Sequence, residues 1–151
     1  DDKSFSREEL LDFYNKLVKK YPISYLEDPF AEDDWQGWSL LKSKIQIVGD
    51  DLLATNPARM KMAKKKSVCN ATIIKLNQIG TVTEALEAVK LAKDFNWKIV
   101  ISHRSGETRD DFIADLAVGS NADFIKAGAP QLRERMVKYK RLREIEKELY
   151  G

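Results

Sequence analysis

Ala71-Thr-Ile-Ile-Lys-Leu-Asn-Gln-Ile-Gly80 opens as a β-branched, aliphatic run and closes in a cation, two amides and a glycine. Read as a strand, it sends Ile73, Lys75 and Asn77 to one face and Ile74 and Leu76 to the other, because side chains alternate along an extended chain. A lysine on the inner face of a strand is costly to desolvate unless a neighbour needs its charge. Lys75 therefore marks this strand's end as a place to look for chemistry.

Four other apolar runs end in the same manner. Tyr25-Leu-Glu-Asp-Pro29 and Ile45-Gln-Ile-Val-Gly-Asp-Asp51 run into acid, Ile99-Val-Ile-Ser-His103 into imidazole and Phe124-Ile-Lys126 into a second lysine. Helical patterns alternate with them. Ser6-Arg-Glu-Glu9 has capping-box spacing ahead of Leu10, Leu11, Tyr14, Leu17 and Val18, and Tyr21-Pro22 stops that helix. The spacing predicts further helices over 33–41, with Trp35 and Trp38 on one side, and from Asn56-Pro57 to about residue 66. Thr81-Val-Thr-Glu84 is a second capping box, with Leu86, Val89 and Leu91 as the apolar face behind it. Two more helices follow over 110–117 and 132–149. Strict alternation of strand and helix implies a parallel sheet with right-handed crossovers, in a single domain over residues 1–151.

Parallel strands present their C-terminal ends on one side. If the sheet curves into a barrel, Glu27, Asp50, Lys75, His103 and Lys126 converge on its mouth. Parity agrees, since Tyr25/Glu27, Val48/Asp50, Ile73/Lys75, Ile101/His103 and Phe124/Lys126 each share a strand face. Glu27 and Asp50 are hard oxygen donors suited to Mg²⁺ rather than to a soft metal. His103-Arg-Ser-Gly106 before a helix offers a cation, a hydroxyl and backbone amides to a phosphate. Two lysines, two such acids and an anion loop suit removal of a proton next to a substrate carboxylate, with metal charge stabilising the enediolate. Lys75 would act as base from its neutral form, which nearby cations favour.

Composition narrows the alternatives. The chain has 151 residues, 43% apolar and 33% charged, enough to bury a core. Twenty-six basic against 24 acidic residues leave a net charge of +2, too even to point to nucleic acid or a membrane surface. No apolar run approaches the roughly 18 residues of a membrane helix and Asp1-Asp-Lys-Ser4 is not a signal peptide, so a soluble, cytoplasmic protein is expected. Cys69 is the only cysteine, which excludes an internal disulfide and fits a reducing compartment. The first residue is not methionine, which suggests a processed chain or a piece of a longer one. Bland readings compete at several positions. An isolated acid more often caps a helix, the lysines of 61–66 read as a solvated face, 133–148 as a solvated helix held by opposite charges, and the two tryptophans and Cys69 as packing.

Taken together, Leu26-Glu-Asp-Pro-Phe-Ala-Glu-Asp-Asp-Trp35, Val48-Gly-Asp-Asp-Leu52, Thr55-Asn-Pro57, Ile74-Lys-Leu-Asn-Gln-Ile-Gly80, Ser102-His-Arg-Ser-Gly-Glu-Thr108, Ile113-Ala-Asp-Leu-Ala117 and Ile125-Lys-Ala-Gly-Ala-Pro130 resemble the enolase family over essentially the whole chain. The resemblance implies the C-terminal portion of a (β/α)8 barrel of TIM type, with about five parallel strands. It implies a glycolytic lyase interconverting 2-phospho-D-glycerate and phosphoenolpyruvate plus water. Glu27 and Asp50 would bind Mg²⁺, Lys75 would be the base and Lys126 would hold the substrate carboxylate. Arg104 and Ser105 would hold the phosphate, Ser105 also lying near a second Mg²⁺, and His103 would line the pocket. The family's N-terminal domain, first barrel strands and third metal carboxylate are absent, Ala127 stands where threonine is usual, and Gln131-Leu132 alters the segment that follows.

Five strands cannot close an eight-stranded barrel, so both sheet edges should be unpaired and the inner face open. A companion chain carrying the N-terminal part, a homo-oligomer, or a longer chain is expected to supply the cover. The competing class is a non-catalytic binding module that keeps the motifs as inherited scaffold.

Overall fold

The computed structural model describes residues 4–41 and 44–151. In chain order it contains α1 (Arg7–Lys20), β1 (Tyr25–Glu27), α2 (Trp35–Leu40), β2 (Gln46–Gly49), α3 (Pro57–Lys66) and β3 (Ala71–Ile74). The second half contains α4 (Leu76–Ile79), α5 (Val82–Asp94), β4 (Lys98–Ser102), α6 (Phe112–Gly119), β5 (Phe124–Lys126) and α7 (Arg133–Tyr150). The five strands form one parallel sheet in the order β1-β2-β3-β4-β5. This is the arrangement of an incomplete barrel of alternating strands and helices.

The helix boundaries follow from local chemistry. Ser6 and Glu9 make the reciprocal capping box that starts α1, the Glu9 amide donating to the Ser6 hydroxyl and the Ser6 amide to the Glu9 carboxylate. Asn56 accepts from the amides of Ala58 and Arg59, Pro57 opens α3, and Ser67 closes it in the left-handed region at φ 52°. At α5 only half of the expected box forms. Thr81 accepts from the Glu84 amide but turns its own hydroxyl proton to the Glu84 carboxylate, leaving the Thr81 amide out of the exchange.

Most of the core lies between the helices and one face of the sheet. Trp38, Leu52, Leu53, Met60, Ile74, Ile99 and Ile101 are almost wholly buried there. Trp38 also donates its indole N–H to the Ala31 carbonyl at 3.0 Å. Its replacement by alanine would cost about 3–5 kcal/mol. The buried face of α5 is Ala85, Ala88, Val89 and Ala92, while Leu86 is exposed, so the expected stripe is rotated toward its small residues. These alanines let α5 sit close over β3 and β4.

Val48, Ala71, Ile73 and Val100 cluster on the opposite face, with Tyr25 against them. They are buried even though no strand covers them, which corrects the expectation of an open inner face. Curvature explains it. Four strand spacings of about 4.8 Å would hold β1 and β5 roughly 19 Å apart in a flat sheet, yet the Lys126 ammonium lies 2.6 Å from a Glu27 oxygen. The sheet is curled until its rims meet through side chains. Phe124 is half exposed on the β5 rim. No helix among the described residues is long and apolar enough to cross a membrane.

Candidate active site

The 71–80 stretch ends its strand three residues sooner than the alternation read through Asn77 suggests. β3 stops at Ile74, and Lys75 is the cap residue of the single-turn helix α4, so Asn77 lies in a helix and not on the strand face. The Lys75 amide donates to the Thr55 hydroxyl at 2.9 Å, and that hydroxyl donates in turn to Gln78 at 3.0 Å. Thr55 is wholly buried at φ 56°, so β3's exit is pinned from the loop after β2. The side chain of Lys75 points to Asp50, with Nζ 2.6 Å from Oδ2 and both side chains nearly buried.

Asp50 is held by its neighbour Asp28. Asp28, itself in the left-handed region at φ 42°, accepts from the amides of Asp50 and Asp51 at 2.9 and 2.8 Å. Burial raises the Asp28 pKa above its ordinary value despite those two amides. Carboxylate oxygens of Asp28, Asp50 and Asp51 all lie within 4.8 Å of one another. Since Asp28 has both oxygens engaged by backbone, it serves as a brace. Asp50 Oδ1, by contrast, is buried with no hydrogen-bond partner. A buried carboxylate oxygen without a partner is costly unless a cation meets it. This orphaned oxygen, together with an oxygen-only donor set, fits a hard divalent metal. Glu27, the other expected ligand, accepts from the Tyr25 hydroxyl at 2.9 Å and from Lys126 at 2.6 Å. Burial, then the bond to Glu27, pushes the Tyr25 phenol pKa up, so it remains a donor.

A polar concavity of about 330 Å³ brings the remaining predicted residues together. Lys75, His103, Arg104, Ser105 and Lys126 line it, with Asp51, Ser102 and Gly106. Glu27 and Asp50 adjoin it through their lysine partners. One parity argument fails. Ile101 packs among the helix-side residues, so the inner position at the end of β4 is Ser102, and His103 follows it in the loop. The His103 amide donates to the Lys126 carbonyl at 2.9 Å, which joins the ends of β4 and β5. Burial, then the Arg135 guanidinium, lowers the His103 pKa and keeps the ring neutral.

The family described as "Enolase, C-terminal TIM barrel domain" matches residues 1–151. The chain belongs to the enolase family. An enolase of Natranaerobius thermophilus is 52% identical over 155 residues, covering 100% of this chain and 36% of the relative. Enolase B of Dictyostelium discoideum is 53% identical over 148 residues, covering 95% of this chain and 33% of the relative. Enolase 1 of Entamoeba histolytica is 55% identical over 139 residues, covering 90% and 32%. This enolase-family chain thus spans about a third of the length of the curated relatives it matches.

Within the enolase barrel, the largest departure from the sequence reading is α7. It is not simply a solvated helix, since Arg135 and Lys138 are buried, at 7% and 0% exposure. Tyr139, one position on, donates its hydroxyl to the Gly128 carbonyl after β5. The i, i+3, i+4 spacing of Arg135, Lys138 and Tyr139 was the available signal for a shared helix face. The evenly mixed charge around those three residues concealed it.

Proposed function

We propose that this chain is the C-terminal part of the catalytic barrel of a phosphopyruvate hydratase, interconverting 2-phospho-D-glycerate and phosphoenolpyruvate plus water. The observation that carries the reading is that Lys75 and the His103–Gly106 loop face one polar cavity in a chain of the enolase family. That shared lining supports pairing a proton acceptor, Lys75, with an anion site in the 103–106 loop. Each predicted residue has work suited to its chemistry there.

Lys75 takes the proton next to the substrate carboxylate; it does so from its neutral amine form, so its ion pair with Asp50 must first be relaxed. The hydrogen bond from the Lys75 backbone N–H to the Thr55 hydroxyl and the ion pair with Asp50 fix where its side-chain nitrogen sits. Lys126, at the end of β5, binds the substrate carboxylate, exchanging Glu27 for a second carboxylate of similar geometry. Arg104 and Ser105 take the phosphate, and His103 packs beside it as a neutral ring. Glu27 and Asp50 would hold Mg²⁺, with Ser105 near a second ion, and the metal charge would oppose the negative charge that develops on the substrate carboxylate.

The two free sheet rims and the half-exposed Phe124 support a need for cover by an N-terminal enolase portion, as a companion chain, as part of a longer chain or within a homo-oligomer. On this reading residues 1–151 are one structural unit of that assembly. Mixing the chain with the N-terminal portion should restore Mg²⁺-dependent turnover, followed by phosphoenolpyruvate absorbance. Lys75→Ala in the same assembly should abolish turnover while native mass is unchanged. Undiminished turnover in that variant would remove Lys75 as the base, and an assembled but inactive wild type would favour a binding module instead.

A further inference from the structure

The loop 103–108 has few means of holding its own shape. Among the described residues its backbone donors make no ladder beyond the His103 amide, and Gly106 has nothing within 4 Å of where a Cβ would stand. It is gripped instead from α7. Arg135 donates through one terminal nitrogen to the Arg104 carbonyl and through the other to the Ser105 carbonyl, both at 2.9 Å, and it also meets His103 Nδ1. Three residues on, Lys138 donates to the Thr108 carbonyl at 2.8 Å and to the Glu134 carbonyl at 2.7 Å, and pairs with the Glu107 carboxylate at 3.0 Å.

Burying two cations under a surface loop is expensive, and neither reaches the cavity itself. What they achieve is orientation. In a trans peptide the C=O and the N–H point in opposite directions, so a guanidinium that draws the Arg104 and Ser105 carbonyls toward α7 turns the amides of Ser105 and Gly106 the other way. Neither amide donates to any described backbone carbonyl, and both residues line the cavity. The planar fork is the part that matters, because its donors are fixed in one plane and span two successive carbonyls in a set orientation, whereas an ammonium is a point charge with freely rotating donors. Gly128 makes room for it. At φ 81°, a Cβ there would come within 2.9 Å of Arg135 Cδ and 3.1 Å of His103 Cε1.

We infer that Arg135 and Lys138 are positioning residues that hold loop 103–108 in its anion-receiving form, Arg135 by aiming the Ser105 and Gly106 amides and Lys138 by tying down the loop's far end. This rests on the phosphate role proposed above for the loop. Neither side chain touches the substrate, and their effect reaches it only through the peptide groups they orient.

The test uses the complete natural assembly containing this chain, with Arg135→Lys, Arg135→Gln and Lys138→Met compared with wild type. Hydrogen exchange read by mass spectrometry on peptides covering 103–108 should rise at least about tenfold in all three variants, while peptides from β2 and β3 stay unchanged. Inorganic phosphate, followed by phosphorus NMR line broadening, should bind about tenfold more weakly, the size of one good charge-assisted hydrogen bond. Arg135→Lys keeps charge and bulk and so carries the test should Arg135→Gln fail to fold. If Arg135→Lys retains both loop protection and phosphate affinity, the fork is not the aiming device and the inference is wrong. Loosened loops with unchanged phosphate affinity would also overturn it. Failure of the wild type to bind phosphate would instead strike the phosphate role itself, and the inference with it.

Discussion

Replacing Lys75 by methionine tests the center of the site without any substrate. The ammonium and the Asp50 carboxylate lie 2.6 Å apart, with side chains only 12% and 9% exposed. Their attraction at an effective dielectric of about 20 is roughly 6 kcal/mol before desolvation is counted. Asp50 Oδ1 already lacks a partner, so Lys75→Met strands the entire carboxylate side chain. Stranding one member of a buried pair costs about 3–5 kcal/mol. Urea unfolding followed by fluorescence of the three tryptophans, in metal-free buffer at neutral pH, should show that loss. The double variant Lys75→Met/Asp50→Leu should recover most of it, because removing both charges removes the desolvation problem as well. Adding Mg²⁺ should stabilise Lys75→Met more than it stabilises wild type, since the metal then meets an unpaired carboxylate. A loss below about 1 kcal/mol, or the same loss in the Asp50→Leu background, would mean that this ion pair does not organise the site.

Further outcomes follow from other parts of the fold. Gly128→Ala should destabilise by about 1–3 kcal/mol through its positive φ, whereas Gly106→Ala should stay within about 0.5 kcal/mol; chemical unfolding of the two side by side checks both. Hydrogen bonding to Arg7 holds the Asp34 pKa below its ordinary value of 3.8, and bonding to Arg141 does the same for Asp115. A lowered carboxylate pKa stabilises the fold above the ordinary value and loses that contribution as pH falls through the lowered one. Asp34→Asn and Asp115→Asn should therefore narrow the difference in urea midpoint between neutral and acidic pH. Burial pushes the Cys69 thiol up to about 12, so iodoacetamide should label it only after denaturation.

Much of this was legible from alternation alone. All five strands and the major helices lie close to where hydrophobic periodicity and caps placed them, because short β-branched runs and capping residues act locally. The cavity was legible at one remove. Strand ends of a parallel sheet share a side, so Lys75, Lys126 and the His103 loop had to meet if the sheet curved. What stayed hidden depends on tertiary partners. The early stop of β3 is set by Thr55, twenty residues away in the chain. The outward parity of Ile101 follows from the register of β4 against β3, which no single strand reveals. The buried cations of α7 look like solvent residues until the loop they hold is laid over them.

The contact between Glu27 and Lys126 closes a circuit of 99 residues. Loop-closure entropy grows only with the logarithm of that length, so spanning so long a stretch of chain adds little to the cost of this contact. A segment that completed the cylinder, as proposed above, would meet rims already drawn together by this ion pair.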